Sequence, residues 1–247
     1  MGAVELILVR HGESEGNLAA AEAERIAAET IAVPARDADV VLSPRGREQA
    51  EALGAHLAEL AADDVPQSLW VSPYLRAQQT ADIALRTAGL DLPRRLDERL
   101  RDRELGITDA LTSLGVERRL PLEAERRRWL GKFYYRPPGG ESWADVALRV
   151  RSLLADLDRE EDGRRVLIVC HDAVISLFRY VAERIPEAEL LEHARLHPIP
   201  NAAITRLARP SGEGSWTATV ISSAAHLAAH GADVTQHVGE PDPQEVR

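Results

Sequence analysis

Val166-Leu167-Ile168-Val169-Cys170-His171-Asp172 is the stretch on which the reading of the fold turns. Five apolar residues follow one another without a polar break, the pattern of a strand covered on both faces. The run then stops at an imidazole and a carboxylate. The same design occurs twice upstream. Leu6-Ile7-Leu8-Val9 runs into Arg10-His11-Gly12-Glu13, and Ser68-Leu69-Trp70-Val71 runs into Ser72-Pro73-Tyr74-Leu75-Arg76. Helical spacing fills the intervals. Ala50, Leu53, Leu57 and Leu60 follow Ser43-Pro44, and Ala77, Ala81, Ala84 and Ala88 follow Ser72-Pro73. Both openings read as a cap residue with Pro at the first helical position. Trp143, Val146, Val150, Leu153 and Leu157 form a third apolar stripe, and Val174, Phe178, Val181 and Ile185 a fourth. Residues 202–207 and 216–222 read as late strands around a turn at 210–214. Strands alternating with helices define an α/β domain on a largely parallel sheet.

The chain has 247 residues, 45% apolar and 28% charged, which is ordinary globular usage. With neither an internal repeat nor a second core, one domain is expected over residues 1–230. Residues 17–39 are an Ala/Glu-rich excursion, read as a helix plus a loop. Residues 97–140, rich in charge and broken by Pro137-Pro138-Gly139-Gly140, read as an insertion over one edge of the sheet. Residues 231–247 read as a polar tail that frays. Forty acidic against 30 basic residues give a formal charge of −10, the wrong sign for neutralising nucleic-acid phosphates. No apolar run approaches the ~20 residues of a membrane span, and the first nine residues lack the basic start and long apolar stretch of a signal peptide. A single cysteine, Cys170, permits no internal disulfide and no cysteine-based zinc site. The expectation is a soluble, cytoplasmic protein without a membrane or nucleic-acid partner, its oligomeric state open and a homodimer allowed. Of the 30 basic residues only Lys132 is lysine; a GC-rich coding bias accounts for most of that, so what matters is where individual arginines fall.

In open α/β sheets the carboxyl ends of the strands line the ligand crevice. If the three apolar strands are parallel neighbours, Arg10, His11, Arg76 and His171 converge, with helix N-termini aimed at the same place. Two arginines and two imidazoles suit a dianion, above all a phosphoryl group. There is no Gly-rich phosphate loop and no carboxylate cage for magnesium, so neither cofactor nor metal is expected. An imidazole at a strand end can attack phosphorus itself, with Arg10, Arg76 and a protonated His171 on the equatorial oxygens. A carboxylic acid must then protonate the leaving oxygen.

Leu8-Val9-Arg10-His11-Gly12-Glu13-Ser14-Glu15-Gly16-Asn17 resembles the signature of the histidine phosphatase superfamily, the phosphoglycerate-mutase-like family. Ser72-Pro73-Tyr74-Leu75-Arg76-Ala77-Gln78-Gln79-Thr80 resembles its second motif and Val169-Cys170-His171-Asp172 its third. Pro138-Gly139-Gly140-Glu141-Ser142 and Pro200-Asn201-Ala202 resemble further family segments, all in family order across roughly residues 4–228. The resemblance implies a three-layer α/β/α sandwich with a mostly parallel central sheet and an inserted cap-like segment. It implies a phosphohistidine on His11, phosphate contacts from Arg10, Asn17, Arg76 and His171, and no metal. Its general acid falls at Asp102, in Leu100-Arg101-Asp102-Arg103-Glu104-Leu105-Gly106, where Asp is one methylene shorter than the family's Glu. Glu104 and Asp172 are the alternatives; Asp172 stands where that branch usually has Gly, and reads as the N-cap of the helix after it.

Two pairs at i,i+4 spacing, His193/His197 and His226/His230, read as structural rather than metal ligands. Arg118-Arg119 and Arg126-Arg127-Arg128 read as solvated helix faces. The Ala/Glu-rich segment 18–30 lacks the stretch that closes over substrate in the family's sugar-acid mutases. Hydrolysis of a small phosphomonoester is therefore expected, with a phosphoglycerate-type mutase as one alternative and a non-catalytic phospho-ligand binding protein as the other.

Overall fold

Alternation along the central strands explains the layering. In the computed structural model, which describes residues 2–33 and 36–237, the chain forms β1 (Glu5–Arg10), α1 (Glu15–Arg25), α2 (Pro44–Ala58), β2 (Ser68–Val71), α3 (Leu75–Ala88) and β3 (Arg94–Leu96). It continues through α4 (Ser113–Arg119), α5 (Pro121–Tyr134), α6 (Trp143–Glu160), β4 (Arg165–Cys170), α7 (Asp172–Ala182), α8 (Glu187–Leu196), β5 (Ile204–Ala208), β6 (Thr217–Ser223) and α9 (Ala225–Ala229). The sheet order is β3-β2-β4-β1-β5-β6. The pairs β3/β2, β2/β4 and β4/β1 are parallel, and β5 runs antiparallel to both β1 and β6.

Ile7, Val9, Leu69, Val71, Leu167 and Val169 face the side covered by α2 and α3, where Leu53, Leu57, Ala77, Ala81 and Ala84 meet them. Leu6, Leu8, Trp70, Val166, Ile168 and Cys170 face the other side, against Val146, Val150, Leu153, Leu157 of α6 and Val174, Leu177, Phe178 of α7. Strands buried on both faces read as unbroken apolar runs for this reason. The result is the expected three-layer α/β/α sandwich with a mostly parallel sheet.

Three details differ from the sequence reading. The edge strand β3 carries Arg94 and Arg95 and is largely exposed, so no apolar run announces it. Ser43 caps α2 as expected, accepting the Gly46 N–H at 3.0 Å with Pro44 at the first position. Ser72 does not cap α3, which starts at Leu75 behind Tyr74. The tail also departs from fraying as far as it is described. Gln49 donates to the Asp233 carbonyl and Thr235 hydroxyl at 2.9 and 2.8 Å, and Asn201 N–H donates to the Thr235 carbonyl at 3.0 Å. Residues 238–247 lie outside the described residues.

The two excursions join each other. Thr30 bridges Leu111, and Glu29 receives Arg118 and Arg119 at 3.2 and 2.8 Å. The segment after α1 and the one around α4 are thereby tied together. Those two arginines serve this joint. Among the described residues no helix is long and apolar enough to cross a membrane.

Glu161, at the end of α6, is the polar anchor of the apolar layer. Its carboxylate accepts from Trp70 Nε1 at 2.6 Å and from Ser68 Oγ at 2.9 Å, with all three residues buried. Glu161→Ala should leave the indole N–H without an acceptor and destabilise the fold by about 1–3 kcal/mol. A lowered urea midpoint at unchanged m-value would show it, and Glu161→Gln, which keeps an acceptor, should recover most of the loss.

Candidate active site

Register brings the site together. Arg10 pairs with Cys170, and Val9 and Val71 both pair with Val169, so the three strands end level. His11 and His171 follow directly, and their rings meet edge-on with centroids 5.1 Å apart. The loop after β1 also needs close backbone approach to the start of α2. A Cβ on Gly46 would lie 1.9 Å from the Glu13 carbonyl oxygen, and one on Gly12 would lie 2.5 Å from the Gly46 carbonyl oxygen. Only glycine fits both positions.

His11 is 3% exposed. Its Nδ1 sits 2.7 Å from its neighbour's carbonyl, Gly12 O, which can only accept, so Nδ1 carries the proton. The Nε2 lone pair accepts Arg76 Nε–H at 3.3 Å. Burial first, then Arg76, His171 and Arg10, hold the His11 pKa well below its ordinary 6.5. A neutral imidazole with a fixed tautomer keeps an Nε2 lone pair able to act as a nucleophile once the Arg76 contact gives way.

Arg76 and Arg10 are both buried. Arg76 meets Asp37, Asp102 and His11; Arg10 donates through Nη1 to the Ile199 carbonyl and through Nη2 to the His237 carbonyl at 3.3 Å, with Asp172 3.8 Å away. Two buried nitrogens in the site, Arg10 Nε and His171 Nδ1, have no hydrogen-bond partner of good geometry among the described residues. His171 Nε2 lies 2.8 Å from Ser72 Oγ, which also accepts the Tyr74 N–H at 3.2 Å. The serine read as a helix cap therefore orients the second histidine. Asn17 turns its Oδ1 to the Ser14 N–H at 3.1 Å and to Asn201 Nδ2 at 3.3 Å, so its NH₂ end is the one available to an anion.

Asp102 Oδ2 sits 3.2 Å from Arg76 Nη2 and 3.3 Å from His171 Nδ1. Burial would raise its pKa, but His171 and Arg76 outweigh that and hold the carboxyl well below its ordinary 3.8. Its loop is fixed through backbone. Arg149 Nη2 donates to the Asp102 carbonyl at 3.1 Å and Arg103 Nε to the Glu141 carbonyl at 2.7 Å, while Glu141 binds both Arg101 and Arg149. Glu104 is directed elsewhere, accepting from Tyr74 OH at 3.0 Å. Asp172 is the first residue of α7, with His171 in the cap position instead; burial raises its pKa above the ordinary 3.8.

Sequence reasoning passed over several of these residues. Glu141 lies inside the Pro-Gly-Gly-Glu-Ser motif, and the local Ser-Pro pattern points to a cap where Ser72 instead holds His171. Glu13, also inside a motif, is 2% exposed and receives Ser43 Oγ at 2.8 Å and His237 Nε2 at 3.0 Å. His237 carried no local signal at all. The paired histidines lie apart from the site: His193 meets Arg179, and His230 faces Glu59. Among the described residues no group of three or more His, Cys, Asp or Glu is set to hold a metal ion.

Residues 6–221 match the family model of the histidine phosphatase superfamily, branch 1. The chain belongs to that superfamily. Human 6-phosphofructo-2-kinase/fructose-2,6-bisphosphatase 4 is 32% identical over 202 residues, covering 80% of this chain and 38% of that protein. The chain thus spans little more than a third of the length of such relatives. A phosphoglycerate mutase-like protein of Arabidopsis thaliana is 35% identical over 175 residues, 66% of this chain and 49% of its own. Among solved structures, a mycobacterial glucosyl-3-phosphoglycerate phosphatase, determined with VO3, aligns at a TM-score of 0.70 and 28% identity, over 90% of this chain and 100% of that one.

The histidine that this superfamily's motif places first should titrate anomalously. As pH falls through 6.5, the His11 ring should stay neutral and protonate only at lower pH, as read by NMR of the imidazole nitrogens. A midpoint at or above 6.5 would contradict the site's electrostatics. Because the folded pKa lies below the unfolded one, the unfolded state takes up the proton first. Stability should then decline as pH drops below 6.5, and His11→Gln should remove that component of the decline.

Proposed function

We propose that the chain is a phosphomonoesterase that hydrolyses a small phosphorylated metabolite through a phosphohistidine on His11. The observation that carries this is Nε2 of a neutral His11 set among Arg10, Arg76 and His171, with the buried Arg10 Nε there lacking an acceptor. A phosphoryl group set among them supplies the missing acceptor. The fructose-2,6-bisphosphatase and glucosyl-3-phosphoglycerate phosphatase relatives support a phosphorylated sugar or sugar acid as the substrate class. The net charge of −10 supports a small ligand over a nucleic acid, and the reading places the enzyme in the cytoplasm.

His11 Nε2 donates its lone pair to phosphorus as the ester P–O bond breaks. Arg10, Arg76 and His171 hold the equatorial oxygens, so charge neutralisation calls on no metal. Asn17 adds an N–H donor. Asp102 protonates the leaving oxygen, then as carboxylate takes a proton from the water that attacks phosphorus and breaks the P–N bond. Asp102 is ionised while it shares Arg76 and His171 alone. A phosphate dianion drawn to the same two groups places like charge beside it, which raises its pKa and favours the proton. Binding thereby arms the acid.

Asp172 supports a second reading of the acid, because its carboxyl already holds its proton more tightly than usual. Asp102 is preferred for its contact with both Arg76 and His171. The mutase alternative shares the first half of this chemistry and returns the phosphoryl group to the bound product.

A panel of phosphomonoesters scored by phosphate release tests the reading. Wild-type protein should release phosphate and form an acid-labile phosphoprotein, and His11→Ala should do neither. Asp102→Asn should lower kcat by about 10²–10⁴-fold on alkyl phosphates and much less on aryl phosphates with good leaving groups. Such a pattern in Asp172→Asn instead would transfer the role. With 3-phosphoglycerate, transfer to the 2-position far faster than hydrolysis would replace phosphatase by mutase.

A further inference from the structure

The five N–H donors of Arg76 are all engaged by the protein's own groups. Nε faces the His11 lone pair at 3.3 Å. Nη1 donates to the Asp37 backbone oxygen at 2.6 Å and to Asp37 Oδ1 at 2.9 Å; Nη2 donates to Asp37 Oδ2 at 3.1 Å and to Asp102 Oδ2 at 3.2 Å. Asp102 is the proton donor of the proposed reaction. Asp37 has no role in it, yet it makes three of the five contacts. It opens a short 3₁₀ turn, Asp37–Asp39, between α1 and α2, and closes on the guanidinium in the two-pronged geometry that a phosphate would use.

Resting on the reading of Arg76 as a phosphate ligand, we propose that Asp37 is a built-in competitor for the phosphoryl group, which weakens ground-state binding and drives inorganic phosphate off the enzyme. The two partners differ in a way that suits exchange. The Arg76 side chain is 5% exposed and the Asp37 side chain 47%. A guanidinium that buried is costly to leave without an anion, whereas a half-exposed carboxylate leaves its partner for water at little cost. Substrate phosphate displaces the carboxylate and takes its prongs. After hydrolysis the carboxylate returns, so the arginine is never left uncompensated and product has a tethered rival. The backbone oxygen of Asp37 keeps its own bond to Nη1 and holds Arg76 in place during the exchange.

Asp37→Asn tests this, because it keeps the shape and the backbone contact and removes only the charge. Asp39→Asn is the control; Asp39 pairs with Arg36 at the surface, 3.1 Å away, in the same turn. Binding of inorganic phosphate and of orthovanadate is measured by calorimetry, and both are measured as inhibitors of aryl phosphate hydrolysis. In Asp37→Asn both anions should bind about tenfold tighter, with KM lowered in step and kcat unchanged or reduced where phosphate release limits turnover. Asp39→Asn should change neither. Unchanged affinity in Asp37→Asn overturns the proposal, and weaker affinity does so by making Asp37 a positioning residue for Arg76. An equal gain in Asp39→Asn also overturns it, leaving only a general charge effect. Calorimetry separates this inference from the one beneath it. Tighter anion binding without any hydrolysis would support the competitor while removing the phosphatase, and hydrolysis with unaltered anion affinity would do the reverse.

Discussion

Two guanidinium groups buried at the end of a parallel sheet must be compensated, and much of the active-site architecture follows from that requirement. An uncompensated charge at that depth costs several kcal/mol, so Arg10 and Arg76 can be held there only by groups brought from distant parts of the chain. Arg76 draws Asp37 from the segment before α2 and Asp102 from the loop after β3. Arg10 draws the carbonyls of Ile199 and His237, with Asp172 behind them. Loops that look like decorations of an α/β core are thus tied to it by two buried cations.

The same requirement explains which parts were legible in the sequence. Strands buried on both faces must be apolar throughout, so β1, β2 and β4 announce themselves, and register then carries Arg10, His11, Arg76 and His171 to one place. Those four residues lie within two or five positions of a strand end, where local pattern is informative. Asp37 and His237 lie in segments whose composition says only that they are polar, and their partners are 39 and 224 residues away in the chain. Ser72 differs from its local pattern for a related reason. Ser-Pro is a helix-cap pattern, but here the hydroxyl is taken by the ring of His171 and α3 begins without a side-chain cap. A tertiary contact outweighed a local preference. The edge strand β3 escaped because an edge need not be apolar, and its arginines face solvent and acidic neighbours.

Supports of the acid loop form a second layer with its own logic. Asp102 is not on a regular element, so its position depends on what grips its backbone. Arg149, from α6, reaches the carbonyls of Arg99 and Asp102, and Glu141 fixes both Arg149 and Arg101. The Pro-Gly-Gly-Glu turn before α6 therefore sets where the Asp102 carboxylate stands; under the proposed mechanism it acts through geometry and does not touch the reacting atoms.

The protein's overall charge of −10 gives little guide to this site, where charge is closely balanced. Arg10 and Arg76 face Asp37, Asp102 and Asp172. Such a site does not attract a dianion by excess positive charge; it takes one by exchange, as protein carboxylates give up cation contacts or accept a proton. Each response has a separate consequence. A carboxylate that withdraws weakens binding, and a carboxylate that protonates becomes the acid. On the proposed mechanism, dividing those tasks between Asp37, half in water, and Asp102, held against His171, lets one binding event both admit the substrate and prepare its leaving group.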